Sequence, residues 1–188
     1  HLVREATAIK SVPAHVQPPL QSVSMGYPPP SCEPATYAQT SMTPCLLGDP
    51  HGALTMVLYG DSHSAMWFQN IDAVAKAAHW KLWYIGKSAC PAELLPTMNP
   101  PGFGPLYGSY RQCNQWHTVA IAKINRLRPD LVIVSQEVEA APGNLYYTSN
   151  QWRAGLADFF SSITVPNVHF DVIGNIPTIS HDPPLCLN

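Results

Sequence analysis

The chain has 188 residues, 46% of them hydrophobic and only 12% charged, with a formal net charge of -2 at pH 7. That length suits one domain around a single core, and so little charge gives no field that would draw phosphate backbones or anionic lipid heads, so nucleic acid is not expected as a partner. No stretch approaches the roughly 20 consecutive apolar residues that span a bilayer, and the start HLVREATAIK lacks the charged-then-apolar layout of a signal peptide.

Residues 1–52 hold many of the 20 prolines, among them Pro18-Pro19 and Pro28-Pro29-Pro30, with no sustained period of 3.6 or 2. Proline removes a backbone donor and fixes φ, so this stretch is read as an extended arm wrapping a domain formed by residues 53–188, with a free linker as the alternative. The character changes at Ala53. The run from Ala53 to Tyr59, ended by Gly60-Asp61, suits a strand buried on both faces of a parallel sheet. Ser64 to His79 carries Met66, Trp67, Ile71, Val74, Ala75 and Ala78 at helical spacing. Lys81 to Ile85 reads as a second strand ending at Gly86, and Ser88 to Tyr110 as a proline-rich loop. Arg111 to Leu127 predicts a helix with Trp116, Val119, Ala120, Ile121 and Ile124 inward, closed by Arg126, Arg128 and Pro129. A third strand follows from Asp130 to Val134, then a helix from Gln151 to Ser162 with Trp152, Leu156, Phe159 and Phe160 as its apolar face, and a fourth strand from Val168 to Gly174.

Strands alternating with helices predict an α/β fold of three layers, a flavodoxin-like parallel sheet with helices on both faces, preceded by the proline-rich arm. Ligands in such sheets bind at the carboxyl ends of the strands. Four loops are therefore expected to converge on one crevice: Gly60 to His63, Gly86 to Cys90, Ser135 to Glu137 and Gly174 to Pro177.

None of the five cysteines forms CxxC, so zinc-ribbon and thioredoxin readings fail on spacing, and neither a metal nor a cofactor is expected. Cys32 with Cys45, and Cys90 with Cys113, each bracket a loop too poor in apolar groups to hold itself. Each pair can staple its loop, which implies an oxidising compartment and leaves Cys186 with its partner in sequence not included here. The alternative is five reduced, buried thiols.

Ser62 stands where the first strand hands over to the first helix, where backbone N–H groups are unpaired and the helix dipole favours negative charge. A tetrahedral oxyanion at Ser62 would be stabilised by those donors. The plainer reading is that Asp61 or Ser62 caps the helix.

Gly60-Asp61-Ser62-His63 resembles the first block of SGNH hydrolases in its GDSH form, and the longer string Tyr59 to Trp67 resembles the extracytoplasmic SGNH domain fused to membrane acyltransferase family 3 proteins. Lys87-Ser88-Ala89-Cys90-Pro91, then Cys113 with Trp116, then Ile176-Pro177 with Pro183, Pro184, Cys186 and Leu187 are similar to that family's later landmarks, in order. The resemblance implies an SGNH-hydrolase-like fold in an extracytoplasmic domain tethered to the cell membrane. Its partner would be the membrane-embedded acyltransferase domain of the same polypeptide, and it would move an acyl group, often acetyl, through Ser62 onto a hydroxyl of a cell-envelope carbohydrate. The second block implies an oxyanion donor in the Gly86 to Ser88 turn. The third block's Asn is replaced here by Gln136, whose amide takes the same assignment.

A serine needs a positioned imidazole to take its proton. The family supplies it in a C-terminal Asp-x-x-His, and His181-Asp182 has the wrong order and spacing. His63 is expected to brace the turn rather than face Ser62, and His117 and His169 are expected to be packed and hydrogen-bonded. The start at His1 and the missing Asp-x-x-His together suggest a segment of a longer enzyme, inactive or impaired in isolation. Tyr107, Tyr110, Trp116, Tyr146, Tyr147 and Trp152 are candidates for a sugar-stacking groove, with core or rim as the simpler account. Glu137 and Glu139 suggest paired carboxylates, with a solvated loop as the simpler account. The rival functions are an SGNH carbohydrate esterase and a non-catalytic binding module that has lost its base.

Overall fold

Sequence rules for strands and helices place the elements well, and the computed structural model describes residues 32, 35–43, 45–99, 108–137 and 147–174, all within the unit Gly26–Asn175. The elements in chain order are β1 (Cys45–Gly48), β2 (Leu54–Gly60), α1 (Ser62–Ala77), β3 (Trp80–Gly86), β4 (Met98–Asn99), β5 (Gly108–Ser109), α2 (Arg111–Leu127), β6 (Leu131–Ser135), α3 (Ser149–Ser162) and β7 (His169–Ile173). No described helix is long and apolar enough to cross a membrane.

The main sheet has the order β1-β3-β2-β6-β7. Its last four strands are parallel, with Gly60 beside both Gly86 and Ser135. Taken as parallel strands in chain order, that is 2-1-3-4, so the winding reverses between β2 and β6 and opens a crevice at their carboxyl ends. The expected three-layer α/β fold is what forms. On one face Met56, Leu58, Leu82 and Tyr84 pack with Ala65, Phe68 and Ala75 of α1. On the other, Val57, Tyr59, Ile85, Val132 and Val134 pack with Trp116, Ala120 and Ile124 of α2 and Phe159 of α3. The interior of β2 is therefore buried from both sides, the environment its unbroken apolar run calls for.

Several details differ from the sequence reading. Cys45–Gly48, inside the span assigned to the arm, forms an antiparallel edge strand on β3, and Ala35 bridges Lys87. A four-residue strand is too short to show periodicity, so its pairing is invisible until β3 is in place. The buried stripe of α1 is Ser64, Ala65, Phe68 and Ala75, while Met66 and Val74 are exposed, because small residues let the helix approach the sheet closely. Val119 of α2 is likewise exposed, and Cys113 and His117 take buried places on that helix. The loop read over 88–110 contains the two-residue ladder β4–β5. Among the described residues strand β7 is an edge with a largely exposed pattern, so His169 is exposed rather than packed.

Both expected disulfides form: Cys32–Cys45, closing a separation of 13 residues, and Cys90–Cys113, closing 23. Cross-links of this span stabilise by restricting the unfolded chain, on the order of 3 kcal/mol each. Cys186, Tyr107, Tyr146, Glu139, Ile176, Pro177, His181 and Asp182 lie outside the described residues.

Candidate active site

The turn after β2 is fixed by backbone geometry. Gly60 has φ +148°, and a Cβ there would overlap the carbonyl oxygen of Ser135, so only glycine lets β2 and β6 close on each other at this level. Asp61 follows in extended conformation and caps α1, its Oδ1 accepting the His63 N–H at 2.8 Å. Its backbone carbonyl accepts the Ser64 N–H at 3.1 Å and the Ser64 hydroxyl at 2.6 Å. Ser62 is the first residue of α1 and is exposed. Asp61 itself is buried.

Two of the N–H groups that follow Ser62 are thus taken by Asp61. The N–H of Ser62 itself, first in the helix, is not among them and retains the favourable end of the helix dipole. His63 Nδ1 stands 3.4 Å from Asp61 Oδ1. That carboxylate raises the His63 pKa above its ordinary value, partly offset by burial.

The other loops reach the same end of the sheet. The Lys87 N–H donates to Gly60 O at 3.1 Å, and the Glu137 N–H donates to Asp61 Oδ2 at 2.9 Å, so the ends of β3 and β6 are both tied to the Gly60-Asp61 turn. Gly86 ends β3 with its backbone beside Gly60 and the Tyr84 hydroxyl packed over its Cα. The Ser88 N–H donates to Ala35 O at 3.0 Å and its carbonyl accepts from the Tyr110 hydroxyl at 3.0 Å. Gln136 is buried, its Oε1 accepting the Ala92 N–H at 2.6 Å and its Nε2 donating to Glu93 Oε1. Within the Gly86 to Ser88 turn the Lys87 and Ser88 N–H groups are therefore engaged by the protein, as is one N–H of the Gln136 amide.

Two buried ionisable residues escaped the sequence reading as site groups. Lys87 is fully buried, and its Nζ donates to the carbonyls of Thr36 at 2.5 Å, Tyr37 at 3.2 Å and Gln39 at 2.6 Å, lying 5.1 Å from the Tyr110 ring centroid. Burial lowers its pKa to about 8. Glu93 is 3% exposed, and burial, with the Asp61 charge adding to it, pushes its pKa up to about 8. The clue available in sequence was a lone charge inside each otherwise apolar or small-residue stretch, which is too common to be specific.

His117 is packed and hydrogen-bonded as expected. Its Nδ1 lies 2.7 Å from the Tyr59 hydroxyl, and its Nε2 lies 3.6 Å and 3.4 Å from the sulfurs of Cys90 and Cys113. Burial lowers its pKa to about 4, so the ring is neutral at pH 7. These three residues are the group of potential metal donors among the described residues, but their sulfurs are bonded to each other, which makes the arrangement a disulfide packed on an imidazole. Beside it lies a cavity of about 370 Å³ lined by Leu94, Leu95, Pro96, Asn114, His117, Thr118 and Ile121.

Of the aromatic candidates, Tyr110 and Trp116 are core residues. Tyr147 and Trp152 are half-buried, edge to face at 6.0 Å, with the Tyr147 hydroxyl donating to Pro96 O at 2.6 Å.

Residues 31–188 match the family described as SGNH domain (fused to AT3 domains). No match to a curated protein was found. Among solved structures, the chain is similar to the lipopolysaccharide acetyltransferase periplasmic domain of Salmonella ser. Paratyphi A, at 18% identity and a TM-score of 0.53, over 69% of this chain and 47% of that one. The match spans less than half of that solved chain, and the likeness is one of fold.

Proposed function

Because the chain belongs to the family of SGNH domains fused to AT3 domains, we propose that it is the extracytoplasmic part of a membrane-tethered O-acyltransferase working through Ser62. In this reading Ser62 Oγ attacks the carbonyl of an acyl donor, an Oγ–C bond forms, the bond to the donor's leaving group breaks, and the Ser62 proton passes to a base. A hydroxyl of a cell-envelope glycan then takes the acyl group from the serine ester and restores the free hydroxyl. Acetyl is the acyl group of first choice, by likeness to the acetyltransferase domain whose fold it shares.

The observation that carries this reading is an exposed serine at the first position of a helix, at the reversal point of a parallel sheet, on a turn that glycine and a buried aspartate hold rigidly. Negative charge developing on the acyl oxygen next to Ser62 would meet the Ser62 N–H and the positive end of α1. The base lies outside the described residues in this proposal, since His63 Nδ1 is turned to Asp61 and His117 is occupied by Tyr59 and the disulfide.

A non-catalytic binding module is the second reading, and the engagement of Ser88 N–H and the Gln136 amide within the protein favours it. Intact-mass spectrometry of the full-length protein after exposure to a reactive acetyl ester separates the two. A one-acetyl adduct that Ser62→Ala abolishes supports acyl transfer. No adduct in either protein overturns it in favour of the binding module.

A further inference from the structure

Glu93 and Gln136 meet between the loop after β3 and the loop after β6, at the crevice where the sheet reverses. Both are 3% exposed, and one oxygen of Glu93, Oε2, is buried without a hydrogen-bond partner. A buried polar pair that leaves an oxygen unsatisfied costs stability, so it invites a question about what the pair holds in place. Gln136 precedes Glu137, whose N–H donates to Asp61 Oδ2, and Asp61 Oδ1 in turn holds the first turn of α1, where Ser62 sits. Gln136 and Glu137 share one peptide unit, so a backbone displacement at Gln136 carries the Glu137 N–H with it.

We propose that Glu93 and Gln136 form a buried clamp that positions the Ser62 turn, acting through the Glu137 N–H and the Asp61 carboxylate. This role rests on the reading of Ser62 as the acyl-accepting residue. Neither member touches the reacting atoms, so both are positioning residues. Glutamine suits this place: its carbonyl accepts from Ala92 N–H while its amide donates to Glu93 Oε1, and a glutamate there has no N–H to offer that oxygen. The Glu93 side of the clamp is itself anchored on α3, where the Leu94 N–H donates to Gly155 O at 3.1 Å and the Glu93 Cβ packs over Gly155.

The clamp has a pH dependence. Glu93 stays protonated until about pH 8 because burial disfavours its charge, with the Asp61 carboxylate a lesser cause. Asp61 is the titratable group that acts on it, and Glu93 in turn helps to raise the pKa of the buried Tyr59 hydroxyl, while α3 presents Gly155 and the loop after β6 presents the neutral Gln136. Below about pH 8 the clamp carries no charge. Above it, a buried carboxylate appears beside Asp61 and works against closure of the two loops.

The test uses the full-length protein and two readouts, the rate of Ser62 acylation by a reactive acetyl ester and amide hydrogen exchange in peptides covering 60–64 and 135–137, each at about pH 6 and about pH 9. Glu93→Ala and Gln136→Glu are expected to lose protection in both peptides and to slow Ser62 acylation roughly tenfold or more, the scale at which a displaced nucleophile loses rate. Glu93→Gln, which retains the carbonyl that accepts from Gln136, is expected to recover most of both and to abolish the loss that the unsubstituted protein shows between the two pH values. Unchanged protection at 60–64 in Glu93→Ala and Gln136→Glu overturns the clamp. So does an alkaline loss that persists in Glu93→Gln. Should Ser62 prove unreactive in every form, the acyl-transfer reading fails, and the exchange data still decide whether the clamp holds the turn.

Discussion

The turn after β2 and the loops after β3 and β6 arrive at the same end of the sheet, yet they are held by different means. In the turn, the polar groups that open α1 are satisfied within three residues of Asp61, by the His63 N–H, the Ser64 N–H and the Ser64 hydroxyl, and Asp61 Oδ2 accepts one long-range bond, from the Glu137 N–H. In the loops they are satisfied across the chain: Lys87 reaches Thr36 over 51 residues, and Gln136 reaches Ala92 over 44 and Glu93 over 43. Local capping costs little order beyond the helix itself, whereas long-range bonds between buried polar groups form only when the whole sheet has closed. The cap of α1 therefore has a locally encoded shape, whereas its placement against β6 and the neighbouring loops depends on the completed fold.

Gly60 is where the two kinds of support meet, so its substitution is expected to have the largest effect. Gly60→Ala would press a methyl group on Ser135 O at a φ of +148°, which an alanine rarely adopts. The expected loss is about 3 kcal/mol or more in urea unfolding, since both strain and displacement of β6 contribute. A loss below about 1 kcal/mol would mean that β6 can shift away from the turn, and the distinction between a local turn and its surroundings would lose its anchor.

Lys87 probes the long-range side. Lys87→Ala would leave the carbonyls of Thr36, Tyr37 and Gln39 without the ammonium that gathers them, with an expected loss of about 2 to 3 kcal/mol. Hydrogen exchange should rise in peptides covering 35–39 and remain low within α1, because the α1 cap at Asp61 needs nothing from Lys87. Loss of protection across α1 as well would show that the turn is not locally held.

This division also explains what could be read from the sequence. The alternation of strands and helices and the place of Ser62 at the handover from β2 to α1 follow from short-range pattern: an apolar run, a glycine, a capping aspartate and a helical period. Both disulfides could be anticipated from loops too poor in apolar residues to hold themselves. The phase of α1 was misjudged, since Met66 and Val74 are exposed, because the small residues Ser64, Ala65 and Ala75 carry weak hydropathy but permit close packing on the sheet. The partners of Gln136, Lys87 and Glu93 were not legible at all. Each is a polar side chain whose environment is made by segments more than 40 residues away, and no local pattern announces such a meeting.

A second helix cap gives the finest test of the comparison, with the smallest expected effect. Thr148 caps α3 in a reciprocal box, its Oγ1 accepting the Gln151 N–H at 3.3 Å while Gln151 Oε1 accepts the Thr148 N–H at 2.8 Å. Unlike Asp61, it is exposed and its bonds stay within its own turn. Thr148→Ala should therefore cost about 1 kcal/mol, seen as a fall of about 2 to 4 °C in Tm, with Ser62 acylation unaltered. The first turn of α3 lies two helical turns before Gly155, where Leu94 and Glu93 dock, so fraying there should not reach the clamp. Slower acylation in this variant would mean that α3 transmits disorder from its cap to the Glu93 loop, and that even an isolated cap belongs to the support of the nucleophile turn.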